Sequence, residues 1–226
     1  MSSTTSETFA KNTPPNKGLP QWVSCISSFA GLICLSPLLA AACAVIKVSS
    51  PGPVLFRQKR MGMGGREFTL YKFRTMRNSG EGLKITPKGD PRITLAGKIL
   101  RKTKIDELPQ LMNVVKGDMA LVGPRPEVRE YVEMHPDLWA EVLRVKPGIT
   151  DPITLRLRNE EELLAQSDDP EKFYKDHLSL YKLNGYLRYI RTRSPSGDLK
   201  LIIRTLLGVA IPGMNPVPDM EEINRG

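Results

Sequence analysis

The sequence predicts an α/β fold, mostly helical with one short β-hairpin, carried on an apolar N-terminal helical segment. Three observations predict it. A charge-free apolar run fills residues 21–46 and is interrupted by Ser36-Pro37. Two short β-rich runs, Val54-Leu55-Phe56 and Phe68–Phe73, flank a glycine loop at Gly62–Gly65. From residue 94 onward, apolar residues recur at helical spacing between Gly/Pro-rich loops. At 226 residues the chain suits one domain, or one domain plus an anchor.

Residues 1–20, rich in Ser, Thr, Pro and Asn, read as a disordered tail. The apolar run after them is too long for a secretory signal and lacks a convincing cleavage site. As one helix it would measure about 39 Å, against about 30 Å for a bilayer core. A spanning helix is therefore the default. Two features oppose it. Pro37 removes a helical hydrogen bond in mid-run. Both flanks are basic, with Lys11 and Lys17 before and Lys47, Arg57, Lys59 and Arg60 after, which would keep both ends on the cytoplasmic side. A re-entrant helix-break-helix over 21–48 satisfies both features, and the residues alone leave the two readings level.

Ser49–Pro53 reads as a turn, the two β-runs as a hairpin and 78–92 as a polar loop. A short helix is expected at about 94–102, then a helix starting at Asp106. Residues 117–126 form a Gly/Pro-rich loop, 127–145 a helix, and 151–165 contain the charged helical stretch NEEELLA. Residues 171–191 and 198–209 look like amphipathic helix. In the latter, Leu199, Ile202, Ile203 and Leu206 make a stripe beside Lys200 and Arg204, as a basic interfacial helix or a core-packed one would. Asp198 is a natural N-cap for it. Residues 49–212 then form the catalytic domain and 213–226 a C-terminal tail.

The formal charge is +9, with 33 Lys/Arg against 24 Asp/Glu. Residues 1–66 hold seven Lys/Arg and one acid, so they contribute +6 of it, which favours an anionic membrane surface. Nucleic acid is not expected: no binding motif is present and only 6% of residues are aromatic. Cys25, Cys34 and Cys43 all lie in the apolar run, nine residues apart, so they form neither a metal site nor a disulfide framework. The catalytic part has no cysteine, which fits a reducing compartment. His135 and His177 lie outside every motif.

The chemistry centres on Asp106-Glu107, an adjacent acid pair with Arg101 before it and Arg125 after it. Thr103 as N-cap and Pro109 in or near the first turn would start a helix there. Leu108, Leu111, Met112 and Val115 would share its apolar face, with Asp106, Gln110 and Asn113 opposite. The helix N-terminus would then lower both carboxyl pKa values. Carboxylates, several cations and no Cys-His or Ser-His set point to phosphate chemistry with Mg²⁺. The glycine loop at Met61–Gly65 lacks the P-loop pattern, so ATP is not implied.

These segments resemble the monotopic phosphoglycosyl transferases, a bacterial sugar transferase family with small single-domain members. The matching residues, in family order, are Lys72-Phe73-Arg74-Thr75-Met76, Leu100–Thr103, Asp106–Leu111, Lys116–Met119, Val122–Pro126 and Lys146–Thr150. The resemblance runs from about residue 20 to about 210. It implies a re-entrant membrane helix broken at Ser36-Pro37, hence a monotopic protein at the cytoplasmic face of the bacterial inner membrane. It implies transfer of a sugar-1-phosphate from a UDP-sugar to polyprenyl (undecaprenyl) phosphate, releasing UMP in the first membrane step of a glycan pathway.

The resemblance also implies roles. Asp106 would be the nucleophile, Glu107 would bind metal or handle a proton, and both would hold Mg²⁺. Arg101 and Arg125 would hold the diphosphate, Lys72 and Arg74 would add cations, and Asp198 would match a later family acid. Arg125, in a Pro-rich loop, is not expected to make a structural ion pair. Asp151-Pro152 departs from the glycine and aromatic run common at that place, which leaves the sugar open. Direct transfer without an intermediate, or a non-catalytic membrane subunit, are the alternatives. A homo-oligomer is compatible with the sequence.

Overall fold

A computed structural model describes residues 15–77, 89–211 and 217–225. The apolar run forms two helices, α1 (Gln21–Cys34) and α2 (Ser36–Ser49), bent by 63° about Leu35. Pro37 sits in the first turn of α2, where its missing N–H costs nothing. The break therefore falls where Ser36-Pro37 places it. No single described helix is long and apolar enough to cross a membrane; α1 and α2 meet that test only as a bent pair.

The hairpin follows as expected but longer: β1 (Leu55–Met61) pairs antiparallel with β2 (Glu67–Phe73), Leu55 opposite Phe73 and Met61 opposite Glu67. Gly64 and Gly65 turn the loop with φ of 69° and 73°. Most of the polar loop predicted at 78–92 lies outside the described residues.

Helix α3 (Leu95–Lys102) is capped by Thr94, whose side chain accepts from the Gly97 N–H. Gly97 has no room for a side chain: a Cβ would stand 2.0 Å from the Thr75 carbonyl oxygen. A short 3₁₀ turn, Ile105–Glu107, then leads to α4 (Gln110–Val115). The sequence missed a small parallel sheet, β3 (Ala120–Val122) with β4 (Gly148–Thr150). Three-residue strands are too short to show alternation.

The segment 127–145 is two helices, α5 (Arg129–Met134) and α6 (Pro136–Val142), meeting at His135. Then come α7 (Pro152–Arg156), α8 (Glu160–Leu164), α9 (Pro170–Phe173), α10 (Ser179–Thr192), α11 (Pro195–Ala210) and α12 (Met220–Arg225). The main core joins Tyr186, Leu183 and Ile190 of α10 to Trp139, Val142, Leu157, Leu164 and Val122. A second cluster, Ala42, Ile46, Phe73 and Leu100, fastens α2 to the hairpin and α3.

Described residues within both segments read as tails carry contacts. The Leu19 N–H donates to Asp198 (2.7 Å), and Asn16 donates to the Arg191 carbonyl. In α12, Ile223 is buried, and Arg156 donates to both oxygens of Glu222 at 2.7 Å.

Candidate active site

The acid pair is not at the start of a regular helix. Thr103 ends α3 instead of capping the next element; its hydroxyl donates back to the Ile99 carbonyl at 2.8 Å. Lys104 then takes a left-handed conformation (φ 58°, ψ 15°), and Asp106-Glu107 occupy the 3₁₀ turn that follows. The expected faces of α4 are also reversed. Gln110, Asn113 and Val114 are buried, while Met112 and Val115 are exposed.

Asn113 supplies the physical reason. Its amide donates to the Thr69 carbonyl (2.7 Å), and its Oδ1 accepts from the Tyr71 N–H (3.1 Å). A buried asparagine thus takes the place of a third strand along the edge of β2, and this lays α4 against the hairpin. Replacing Asn113 by leucine should leave both backbone groups buried without partners and cost about 2–4 kcal/mol, read as a fall in the urea midpoint.

From β2, Lys72 reaches Glu107 Oε1 at 3.4 Å. From the loop after β3, Arg125 grips the same carboxylate in a fork: Nη1 donates to Oε2 at 3.1 Å and Nη2 to Oε1 at 2.5 Å. Arg125 therefore does make a semi-buried ion pair. Its loop is held by two close glycines. The Gly123 N–H donates to Thr150 O (3.0 Å) and the Gly148 N–H to Pro124 O (2.9 Å). A Cβ on Gly148 would lie 2.1 Å from the Gly123 nitrogen. Gly148→Ala should destabilise the fold by about 3 kcal/mol and loosen Arg125, measurable as lower thermal stability.

The two acids are electrostatically unlike. Burial, and then the charge of Glu107, push Asp106 up to about 6, against the pull of Lys72, Lys104 and Arg101. The helix-terminus expectation of a lowered value fails for Asp106, because desolvation of a buried carboxyl outweighs a one-turn dipole. Burial also opposes ionisation of Glu107, but Arg125 and Lys72 outweigh it and hold Glu107 well below its usual range. Lys72 is lowered to about 8 by burial, partly offset by Glu107. Asp106 Oδ1 is buried with no hydrogen-bond partner.

The other residues singled out in the sequence lie elsewhere. Arg101 pairs with Glu161 of α8 and reaches Thr75 Oγ1 at 3.5 Å; only its field acts on Asp106. Arg74 is buried, donates to Ser50 O at the end of α2 (2.7 Å), and leaves Nε and Nη1 without partners. Asp198 is no N-cap. Ser194 caps α11, and Asp198 lies inside its first turn. There it is fully buried and accepts from Tyr189 OH (2.7 Å), the Leu19 N–H (2.7 Å) and Arg193 (3.4 Å).

Mg²⁺ fits these residues in a restricted way. Among the described residues no group of three or more His, Cys, Asp or Glu could enclose an ion. Mg²⁺ often keeps one or two carboxylates and takes its other ligands from water and phosphate. Asp106 keeps a buried oxygen with no hydrogen-bond partner, whereas Arg125 and Lys72 already occupy Glu107.

The family described as bacterial sugar transferase matches residues 16–211. Over 177 residues, 76% of this chain and 62% of the relative, the chain is 40% identical to the UDP-glucose:undecaprenyl-phosphate glucose-1-phosphate transferase of Caulobacter vibrioides. It is 53% identical over 100 residues, 43% of this chain, to the UDP-N-acetylgalactosamine-undecaprenyl-phosphate N-acetylgalactosaminephosphotransferase of Aeromonas hydrophila, of which it spans 24%. It is 36% identical over 180 residues, 77% of this chain, to the UDP-glucose:undecaprenyl-phosphate glucose-1-phosphate transferase of Escherichia coli, of which it spans 36%. The chain thus spans less than two thirds of each of these relatives. The match over residues 16–211, which contain the acid pair and both cations on Glu107, places the chain in the bacterial sugar transferase family.

Proposed function

We propose that the chain is a phosphoglycosyl transferase that moves a sugar-1-phosphate from a UDP-sugar to polyprenyl phosphate at the bacterial inner membrane, the first membrane step of a glycan pathway. The observation that carries this reading is the division of labour in the acid pair. Glu107 is committed to Arg125 and Lys72, and Asp106 keeps an oxygen with no partner. The names of the relatives, all undecaprenyl-phosphate sugar-phosphate transferases, support the same reaction class.

In the first step the Asp106 carboxylate attacks the sugar-bearing phosphorus. The phosphorus–oxygen bond to UMP breaks, and UMP leaves with the electron pair. In the second, an oxygen of polyprenyl phosphate attacks the same phosphorus and Asp106 departs. Arg125 and Lys72 keep Glu107 ionised and add positive charge where phosphate oxygens gather. Mg²⁺, held by Asp106 with a lesser share for Glu107, would neutralise diphosphate charge.

With labelled UDP-sugar and no lipid, the protein should release UMP in an amount limited by enzyme and retain label on the Asp106 peptide. UMP that appears only with polyprenyl phosphate, under ternary-complex kinetics, would establish direct transfer. No UMP from any UDP-sugar would establish a non-catalytic subunit.

The membrane reading rests on exposed apolar side chains. Trp22, Ile26, Phe29 and Ile33 line α1, Val45 and Val48 lie on α2, and Leu199, Ile203 and Leu206 on α11. With basic flanks on both sides of the 63° bend, α1 and α2 enter and leave by one face. Cysteine labels at residues 10 and 60 should both be shielded from outside reagents in intact cells. Pro37→Ala should favour a spanning form, detected as outside labelling at residue 10.

A further inference from the structure

The four cations read from the sequence around Asp106 all have definite partners, Arg74 on the Ser50 carbonyl among them. Lys72 and Arg125 serve Glu107, and Arg101 serves Glu161. The diphosphate of a bound nucleotide sugar brings two negative charges into this site. One half-buried cation there pairs with nothing among the described residues: Lys104. Its charge acts on both Asp106 and Glu107, yet it forms no ion pair with either.

The backbone of Lys104 is equally distinctive. Among the described residues it is the one non-glycine with positive φ. Its N–H donates to the Arg101 carbonyl and its carbonyl accepts from the Glu107 N–H, each at 3.2 Å. The chain therefore reverses at Lys104 between α3 and the acid turn. A left-handed lysine costs about 1–2 kcal/mol that glycine would avoid. Such conformations are retained where the surroundings over-determine them, and they cluster at functional sites.

We propose that the Lys104 ammonium binds the diphosphate of the nucleotide sugar beside Asp106. This rests on the transferase reading above and names a contact that the motifs do not include. Lys104 brings charge from the α3 side of the acid turn, whereas Lys72 and Arg125 approach through Glu107. The left-handed backbone sets where that ammonium stands relative to Asp106.

The test is UDP binding to the full chain in detergent with Mg²⁺, measured by calorimetry beside thermal melts. Asparagine tolerates the left-handed region and glycine prefers it. Lys104→Asn and Lys104→Gly should therefore melt at or above the wild-type temperature while UDP affinity falls about tenfold. UMP affinity should fall less, and Lys104→Arg should restore UDP binding to within about threefold of wild type. UDP affinity unchanged in Lys104→Asn, a loss that tracks a lower melting temperature, or a wild type that does not bind UDP would overturn the proposal. UMP release from UDP-sugars is scored separately. A wild type that binds UDP through Lys104 but transfers nothing would refute the transferase reading and leave this contact standing.

Discussion

Asp106→Asn is expected to abolish turnover and, at pH 7, to raise the melting temperature. An amide does not attack phosphorus, and losing a covalent nucleophile costs on the order of 10⁴-fold or more. The stability gain follows from burial. Asp106 rises from 3.8 to about 6 on folding. A carboxyl whose folded pKa exceeds its unfolded value holds its proton more tightly when folded. Stability therefore falls as pH rises from about 3.8 to about 6, and stays low above it. Removing the ionisable group should return on the order of 2 kcal/mol at pH 7 and nothing below about pH 4. Melts of wild type and variant at pH 4 and pH 7 measure the difference. In the wild type, enzyme-limited UMP release should climb with pH through about 6 as Asp106 ionises. A variant that still releases UMP would remove Asp106 from the nucleophile's role.

Arg125→Ala is expected to damage both chemistry and fold. The forked bond to Glu107 is its evident side-chain partnership, and its loss leaves Glu107 with one cation at 3.4 Å. Stranding a semi-buried carboxylate costs about 2–4 kcal/mol. Activity and melting temperature should therefore fall together, contrary to what the loop position alone suggests. Adding Glu107→Gln to Arg125→Ala should recover most of the stability without recovering turnover. Arg101→Ala makes the control: Glu161 is 39% exposed, so breaking that pair should cost about 1 kcal/mol or less. If Arg125→Ala melts like wild type, the pair with Glu107 does not hold the fold.

The residues proposed to carry chemistry could be picked out as a set because their order along the chain is itself a signature. Asp106, Glu107, Lys72 and Arg125 do meet in one place. The broken apolar helix was legible too, since a proline inside a charge-free run has few structural outcomes. Geometry within the site was not legible. Helical periodicity put Gln110 and Asn113 on an outward face, because it cannot see a strand edge that needs a polar side chain. The dipole argument gave both acids one sign of shift, because desolvation depends on packing that no local pattern encodes. The resemblance gave Arg101 a place on the diphosphate, and no local pattern shows that it pairs with Glu161, 60 residues away. Lys104 carries no motif, and a left-handed lysine has no sequence signal.

The bond from the Leu19 N–H to Asp198 bridges 179 positions. Its meaning lies in the order of synthesis. The apolar pair α1–α2 leaves the ribosome before its seat on α4 is made and before Asp198, the partner of Leu19, has been synthesised. At about 5–20 residues per second, Asp198 follows Leu19 by roughly 9–36 s. Through that interval an unaccompanied apolar hairpin must be kept from aggregating, and a bilayer reached early would shelter it. On the proposed transferase reading, membrane delivery would then precede completion of the candidate active site.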